Sequence, residues 1–211
     1  MSGFFILYSE TLGLRDESVL LSLAICFVDL EFAIKSTPTD LYNFVLDNSK
    51  FIKFDLMEQK NEYNRWVSKD TLEWWSKIDK EIQRTSLIPS NKDLSAKDGL
   101  NELANYVKSI NGGYNYPIYQ RGYLDGSIII GLSDSVGVKC PMNPFRFRDV
   151  RTIIDVLYGS TDGYCDVDGF DKSIVKKHDP IHDIAKDAIM IIHGKHKDDT
   201  DDKYSKGNWG S

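Results

Sequence analysis

The stretch FFILYSETLG, Phe4 to Gly13, organises the rest of the chain. Its apolar and β-favouring residues predict a buried strand, and the abrupt polar ending before a glycine is typical of a strand that opens onto a polar pocket. Glu10 lies at that open end. Carboxylates brought there from distant segments could hold a divalent metal, because hard cations prefer oxygen ligands. An ordinary surface glutamate is the alternative, and this segment alone favours it.

A second strand is predicted directly after the first. The apolar run from Ser18 to Leu30 is rich in β-branched and aromatic residues, and a charged turn precedes it, so the two strands should form an antiparallel hairpin. Phe32 to Ile34 and Phe51 to Phe54 are predicted to extend the sheet. Between them, Thr37 to Asp40 is predicted to be a turn or the start of a helix.

Two helices are predicted in the middle of the chain. Ser68 is a capping residue followed by apolar residues at helical spacing. Trp74 and Trp75 fall in this first helix, and we expect one to pack in the core and the other to line a groove. Stacking on a nucleotide base and plain core packing explain the pair equally well. Leu94 to Ile110 is the second helix, which is amphipathic and ends at the Asn-Gly-Gly sequence 111–113.

A second acidic residue follows a later strand. Tyr116 to Leu124 is predicted to be a strand that leads directly into Asp125 and then into an apolar run. An aspartate at a strand-to-helix corner is a usual helix N-cap, and that role alone explains Asp125. The same side chain could also face the pocket at Glu10.

The segment after this corner is predicted to contain a short strand, a helix and a loop. Phe145 to Phe147 is the predicted strand, and Asp149 to Tyr158 is the predicted helix. Gly159 to Asp171 contains three glycines and many acids, which indicates a loop.

The last predicted helix lies within His178 to His193. Asp179 can cap it, Pro180 suits its first position, and its aliphatic residues form one apolar face that should pack on the sheet. His178 then lies in the loop before the helix, and Asp183 lies in the first turns. From Lys195 onward the sequence is charged, polar and free of aliphatic residues, which predicts a mobile tail.

Bulk composition limits the class of protein. The chain has 211 residues, of which 41% are hydrophobic, so one large domain is expected. A net charge of −6 argues against a broad basic surface that coats nucleic acid, although a local basic groove is compatible with it. The three cysteines are widely spaced without a CxxC pattern, which predicts reduced thiols inside a cell. We expect no membrane span, because the apolar run Ser18 to Leu30 is too short to cross a bilayer.

Taken together, the candidate site residues and the stretches around them resemble those of a known protein family. The stretches FILYSETLG, FIKFDLMEQK, SKDTLEWW, RGYLDGSIIIGL, FRFRDVRT and HDPIHDIAKD are similar to those of bacteriophage members of the DEDDh family of 3'-5' exonucleases. The resemblance runs from about Phe4 to Gly194. It implies an α/β fold of the RNase H type, with a mixed β-sheet flanked by α-helices. It also implies an exonuclease-like domain over 1–194 and a polar tail over 195–211.

The resemblance implies roles for four residues. Glu10, Asp125 and Asp183 correspond to metal-binding carboxylates, and His178 corresponds to the general base of catalysis. The implied cofactor is Mg²⁺ or Mn²⁺, and the implied partner is the 3' end of single-stranded nucleic acid in the cytoplasm of an infected bacterial cell. His182 and Asp187 have the same spacing as His178 and Asp183, but they would both lie inside the helix, so the pair whose histidine is in the loop is favoured.

One position departs from the family pattern. The family carries Asp-x-Glu in the first strand, and its aspartate bridges two metal ions, whereas the matching triplet here begins with Tyr8. A phenol has an unperturbed pKa of about 10, so it brings no negative charge near neutral pH. We therefore expect weakened metal binding and an activity that is reduced or lost. The alternative is an inactive pseudonuclease that binds nucleic-acid ends or a host protein, for example in counter-defence.

Overall fold

The computed structural model describes residues 2–196, so most of the predicted tail, 197–211, lies outside the described residues. The strands are Gly3–Thr11 (β1), Leu20–Asp29 (β2), Lys50–Lys53 (β3), Ile118–Gln120 (β4) and Phe147–Asp149 (β5). The helices are Leu30–Lys35 (α1), Pro38–Asn48 (α2), Leu56–Asn61 (α3), Lys69–Ser76 (α4), Lys80–Ile82 (α5), Ala96–Ser109 (α6), Leu124–Val136 (α7), Val150–Tyr158 (α8) and Pro180–His193 (α9). No helix within 2–196 combines the length and apolar character that crossing a bilayer requires.

The first strand lies at the centre of a mixed sheet. The strand order is β3-β2-β1-β4-β5, with β1 antiparallel to β2 and parallel to β4. The predicted hairpin is confirmed, with Tyr8 opposite Ala24 in the register. A strand with neighbours on both edges and helices on both faces has no solvated side, which explains why its sequence is almost continuously apolar.

Alternate residues of β1 point into two different cores. Phe5 and Leu7 pack with residues of α6 and α7, whereas Ile6 packs on the other side with residues of α2 and α9. Side chains two residues apart share a face of a strand. Tyr8 therefore follows Ile6 onto the α9 side, where it packs against that core.

Several predicted elements are confirmed. Thr37 is the N-cap of α2, and Ser68 is the N-cap of α4, with its hydroxyl accepting from the Thr71 N–H at 3.3 Å. Asp179 is the N-cap of α9, and Pro180 is its first residue. Together with the sheet order, these elements confirm the predicted α/β fold, a mixed sheet flanked by helices.

Two predicted strand segments are wrong. Phe32 to Ile34 belongs to α1, because Asp29 ends β2 and accepts a hydrogen bond from the Phe32 N–H at 3.0 Å, which starts a helix at once. In the second case the strand begins only at Phe147, because residues 144–146 form a 3-10 turn that Asn143 caps through the Phe145 N–H. In both cases a short polar side chain accepts a hydrogen bond from a nearby backbone N–H, which favours a helical turn over pairing in the sheet.

The predicted strand Tyr116 to Leu124 is shorter than expected. Only Ile118–Gln120 pairs with neighbouring strands. The chain then turns at Gly122, which has a φ of +82° and whose N–H donates to the Asp149 carboxylate at 2.9 Å. This turn leads into α7 and brings Arg121 to the end of β1.

Candidate active site

The carboxyl end of β1 presents its side chains to two helices. Tyr8 and Glu10 lie on the face toward α9, while Ser9 points to the opposite face, toward α7. Glu10 is only 6% exposed and Tyr8 is partly buried. The two-residue period of the strand therefore places the phenol and the carboxylate of Glu10 on the same side of the sheet.

Asp125 is held against β1 from the α7 side. Its Oδ1 accepts hydrogen bonds from the Ser9 backbone N–H at 2.8 Å and from the Ser9 hydroxyl at 2.5 Å. The prediction that Asp125 is the N-cap of its helix is wrong, because the cap position is Tyr123 and Asp125 lies in the first turn. Asp125 lines a cavity of about 340 Å³ together with Tyr8 and Arg121, but Glu10 is not among the residues that line it, so the alternative, that Asp125 faces the pocket at Glu10, stays a prediction.

The ionisation of Asp125 reflects two opposing effects. Burial raises the pKa of its carboxyl group to about 6, and the two hydrogen bonds from Ser9 act in the other direction. Burial therefore disfavours the charged form of Asp125, and the hydrogen bonds from Ser9 offset part of that cost. One of its oxygens is already used by Ser9, which limits what else it can bind.

Helix α9 places two carboxylates opposite Tyr8. Asp183 and Asp187 are four residues apart, which puts them on one face of the helix one turn from each other. Asp187 is paired with Arg121, whose Nη2 lies 2.6 Å from the Asp187 Oδ1, and both side chains are almost completely buried. Within residues 2–196, Asp183 forms no ion pair within 4.0 Å, although Lys186 and Arg121 lie near enough to lower its pKa. Asp187 thus has a structural role in an ion pair, whereas Asp183 remains available to a ligand.

Glu10 and Asp183 each have a buried oxygen without a hydrogen-bond partner within the described residues, Oε1 of Glu10 and Oδ2 of Asp183. Burial raises the pKa of Glu10 well above its ordinary value, and the charge of Asp183 adds to the effect. Burial also raises the pKa of Asp183 to about 7, with the charge of Asp187 as the next cause. Burial and repulsion between the acids therefore outweigh the nearby cations in setting the pKa of both carboxylates.

Tyr8 remains a neutral phenol in this setting. Burial is the main cause that raises its pKa above the ordinary value, and the charges of Glu10, Asp183 and Asp125 raise it further. An anionic tyrosinate would be repelled by every one of these carboxylates. The phenol can therefore offer a hydrogen bond here, but no negative charge.

His178 lies in the loop before α9 and lines a cavity of about 360 Å³ with Tyr8 and Asp183. Its φ is +65°, a left-handed conformation that is uncommon for a residue with a side chain. Its ring packs edge-on against Trp74 at 5.0 Å between centroids. Burial lowers the pKa of His178, so the ring is neutral and able to accept a proton at pH 7.

The other histidine with the same spacing lies elsewhere. His182 Nδ1 is 2.5 Å from the Tyr42 hydroxyl on α2. Its spacing partner Asp187 is the residue bound to Arg121. These two side chains are therefore each engaged with a different element, whereas His178 and Asp183 line the same cavity. The tryptophan pair divides as expected, since Trp75 is buried in the core and Trp74 contacts His178.

Sequence reasoning missed the basic residues of the site. Arg121 and Lys186 both lie in stretches that carry the resemblance, but the sequence assigns neither of them a role, and the structure places both in the lining of the same cavity. Both cations lie against the ring of Tyr164, Arg121 at 4.1 Å and Lys186 at 4.5 Å from its centroid. The sequence does contain a signal for Lys186. It follows Asp183 by three residues, which places both side chains on one face of the helix.

Replacing Asp183 with asparagine is expected to stabilise the metal-free protein at pH 8. A pKa raised from 3.8 to about 7 means that the ionised form is disfavoured in the folded state, and the resulting destabilisation grows as the pH rises from about 4 and is complete above about pH 7. We expect a gain on the order of 2 kcal/mol, after subtracting the cost of burying an amide. The measurement is urea unfolding in EDTA at pH 8 and pH 4.5.

The pH dependence distinguishes this explanation from a general effect of the substitution. The gain should shrink as the pH falls from 7 toward 4, because Asp183 then binds a proton in the folded state. Asp47→Asn, at an exposed position of α2, is the control and should change stability by less than about 0.5 kcal/mol at both pH values. An equal gain for D183N at pH 8 and pH 4.5 would contradict the explanation.

The carboxylates do not form a dense cluster. Among residues 2–196, no group of three or more His, Cys, Asp or Glu side chains is arranged so that it could hold a metal ion. Glu10 and Asp183 lie close enough to affect the pKa of Glu10, but Asp125 is held by Ser9 and Asp187 by Arg121. The predicted ligands Glu10, Asp125 and Asp183 are thus brought to one end of β1 without forming a compact cage.

A family model identifies the family, and two further comparisons report similar proteins. A model of the "3'-5' exoribonuclease Rv2179c-like domain" matches residues 5–193. The exodeoxyribonuclease of Enterobacteria phage T4 is 28% identical over 214 residues, covering 89% of this chain and 86% of the phage protein. The zinc-bound form of E. coli ExoI with single-stranded DNA matches with a TM-score of 0.51 and 12% identity, covering 92% of this chain but only 40% of ExoI, so it supports the fold alone. The chain belongs to the 3'-5' exoribonuclease Rv2179c-like family and is a DEDDh-type, exonuclease-like protein.

Proposed function

We propose that this protein hydrolyses phosphodiester bonds at the 3' ends of single-stranded nucleic acids, with a metal-dependent activity that Tyr8 strongly reduces. The observation that carries the proposal is the neutral phenol of Tyr8 among four carboxylates whose charges all raise its pKa. A two-metal nuclease needs a shared carboxylate to fix the separation of its ions. By the resemblance, Tyr8 would occupy the position where the family pattern carries that carboxylate.

The residues present fit one hard cation better than two. Glu10 and Asp183 would hold it, because each has a buried oxygen without a partner in the described part of the chain, and carboxylate oxygens suit Mg²⁺ or Mn²⁺. Asp125 would add its second oxygen at the edge of the site. A bound ion supplies Lewis acidity to a phosphate oxygen. With a neutral phenol at residue 8, Glu10 and Asp183 would hold such an ion only weakly.

The protein side chains supply the remaining chemistry. His178 would accept the proton of the attacking water, which requires the neutral imidazole that its lowered pKa favours. Trp74 restrains the ring of His178 from the side. The Tyr8 hydroxyl can donate one hydrogen bond to a phosphate oxygen, but it cannot replace an anionic ligand.

The proposed substrate is a single strand with a free 3' end. Three likenesses support this class: the matched family is named for a 3'-5' exoribonuclease, the phage T4 relative is an exodeoxyribonuclease, and ExoI was solved with single-stranded DNA. Both DNA and RNA are therefore substrates to be tested. We place the activity in residues 1–194, in the cytoplasm of an infected bacterial cell, as the phage relative suggests.

A second candidate is a pseudonuclease that binds nucleic-acid ends or a host protein without cutting, for example in counter-defence. The same observation favours it, since a site without the bridging carboxylate can lose hydrolysis altogether and keep its groove. The two candidates share the fold and the bound nucleic acid. They differ only in whether the natural protein shortens its ligand.

End-labelled single-stranded DNA and RNA, incubated with the protein in Mg²⁺ or Mn²⁺, test the proposal. Shortening from the 3' end by the natural protein that is lost in Asp183→Ala supports the weak nuclease. If the natural protein is inert and Tyr8→Asp cuts, the pseudonuclease is supported. If neither the natural protein nor Tyr8→Asp cuts either substrate, the assignment of the site is wrong.

The two histidines provide a matched pair for the general base. In whichever protein cuts, His178→Asn is expected to lower the rate by about 10²- to 10⁴-fold, the usual contribution of a general base. His182→Asn should change the rate less than about threefold and cost about 1 kcal/mol of stability, because it loses only the contact with Tyr42. The measurement combines single-turnover cleavage with urea unfolding. A larger rate loss for His182→Asn would reverse the assignment.

A further inference from the structure

Two lysines bring positive charge into the cavity at Tyr8. Lys186 lies on α9 one turn after Asp183, and Lys177 lies in the loop that leads to His178. Within the described residues, neither lysine has a carboxylate oxygen within the 4.0 Å of an ion pair. The proposed hydrolysis uses neither of them. Their charges are therefore available to a ligand.

The charges of this cavity leave room for an anion. Its acids are Asp183 and Asp187, and its strong cations are Arg121, Lys177 and Lys186. Arg121 and Asp187 neutralise each other through their buried ion pair. Among the residues that line this cavity, Lys177 and Lys186 then outnumber the remaining carboxylate, that of Asp183, while Glu10 lies near Asp183 without being one of the lining residues.

Lys186 is held in place for such a ligand. Its ammonium group lies 4.5 Å from the centroid of the Tyr164 ring, which Arg121 contacts as well. A half-buried lysine that rests on an aromatic ring loses less freedom on binding than one in solvent, and its ammonium group suits a phosphate as a point charge. Lys177 and Lys186 also line a second cavity, of about 380 Å³, so both side chains border two cavities.

We propose that Lys177 and Lys186 bind a backbone phosphate of the nucleic-acid 3' end without any divalent metal. The Lys186 ammonium group then supplies part of the positive charge that metal ions supply in a two-metal nuclease. This inference rests on the proposed function, because it names how the same site recognises the nucleic acid. It assigns to two lysines a contact that the family pattern does not require of them.

The test is binding in the absence of metal. A 12-nucleotide single strand of thymidylate with a 5' fluorescein and a free 3' hydroxyl is titrated with the full-length protein in EDTA, and fluorescence anisotropy is measured at several salt concentrations. Lys186→Gln and Lys177→Gln remove one charge each, and Lys186→Arg keeps it. Lys108→Gln, at an exposed position of α6, is the matched control.

The natural protein is expected to bind in EDTA. Lys186→Gln should weaken binding about tenfold or more and lower the slope of log K against log salt by about 0.7, as expected for one phosphate contact with a single strand. Lys177→Gln should act in the same direction, Lys186→Arg should retain most of the affinity, and Lys108→Gln should stay within about twofold of the natural protein. Circular dichroism confirms that each variant is folded.

Three results would overturn the inference: binding that appears only after Mn²⁺ is added, equal affinities of folded Lys186→Gln and Lys108→Gln, or a circular single strand that competes as well as a linear one. The proposed function is tested separately by cleavage. Tyr8→Asp can restore cutting while Lys186→Gln leaves binding unchanged, in which case the function stands and the lysine contact fails. The reverse outcome would leave a binding protein whose catalytic assignment is wrong.

Discussion

Replacing Tyr8 with aspartate is expected to raise the rate of 3'-end hydrolysis by about 10³-fold or more in Mn²⁺ or Mg²⁺. The new carboxylate would join Glu10 and Asp183 at the end of β1 and restore an anionic ligand between two ions. Metal ions supply several kcal/mol of charge stabilisation in the transition state, and each 1.4 kcal/mol corresponds to a factor of about ten in rate. Single-turnover cleavage of an end-labelled single strand measures the change.

Tyr8→Phe is the matched control for the aspartate variant. It removes the phenolic hydroxyl and keeps the ring, so it should leave activity at or below the natural level. Tyr8→Asp should also make stability depend on metal, because a fifth carboxylate then joins the four whose charges reach residue 8. Equal rates for Tyr8→Asp and the natural protein would show that residue 8 does not limit the reaction.

Breaking the buried ion pair of Arg121 and Asp187 is expected to destabilise the fold by about 3–5 kcal/mol. Arg121→Gln leaves the Asp187 carboxylate buried without its cation, and it also removes the hydrogen bond that Arg121 donates to the Gly163 carbonyl at 3.1 Å. The loop around Gly163 would lose its attachment to the end of β4. Urea unfolding with a linear extrapolation to zero denaturant gives the free energy of unfolding.

An exposed ion pair, Lys35 with Glu31, provides a comparison for this loss of stability. Lys35→Gln removes a bond to Glu31 in which both side chains are more than 70% exposed, and it should cost less than about 1 kcal/mol. The double variant Arg121→Met, Asp187→Leu should recover most of the stability lost in Arg121→Gln, because no uncompensated charge stays buried. Similar losses for Arg121→Gln and Lys35→Gln would mean that the buried pair contributes little.

The acids at the end of β1 illustrate how far a local pattern reaches. The alternation of a strand is enough to place Tyr8 and Glu10 on one face, and the helical period is enough to place Asp183 and Asp187 on another. Both patterns repeat within a few residues, so the sequence alone is enough to recognise them. The same patterns do not reveal which acid a cation neutralises, because Arg121 and Asp187 are 66 residues apart.

The errors in the predicted elements have a related cause. Phe32 to Ile34 has strand-like residues but forms a helix, because Asp29 caps it at the end of β2. Asp125 has the position of a usual N-cap, yet its carboxylate accepts from Ser9 on β1, 116 residues away. In each case the outcome depends on which backbone N–H a short polar side chain accepts a hydrogen bond from. Residue propensity alone does not predict that partner.

By itself, the sequence determined the hairpin around β1, the amphipathic helices α6 and α9, the neutral residue at position 8 and the chemistry of the nearby acids. These depend on short-range periodicity, capping and residue type, which adjacent residues carry. Only the tertiary structure decided that Asp187 is neutralised by Arg121, that one Asp183 oxygen has no hydrogen-bond partner among residues 2–196 and that Lys186 lines the cavity. Charge pairing depends on which elements dock against each other, and docking brings together side chains that the linear chain keeps far apart.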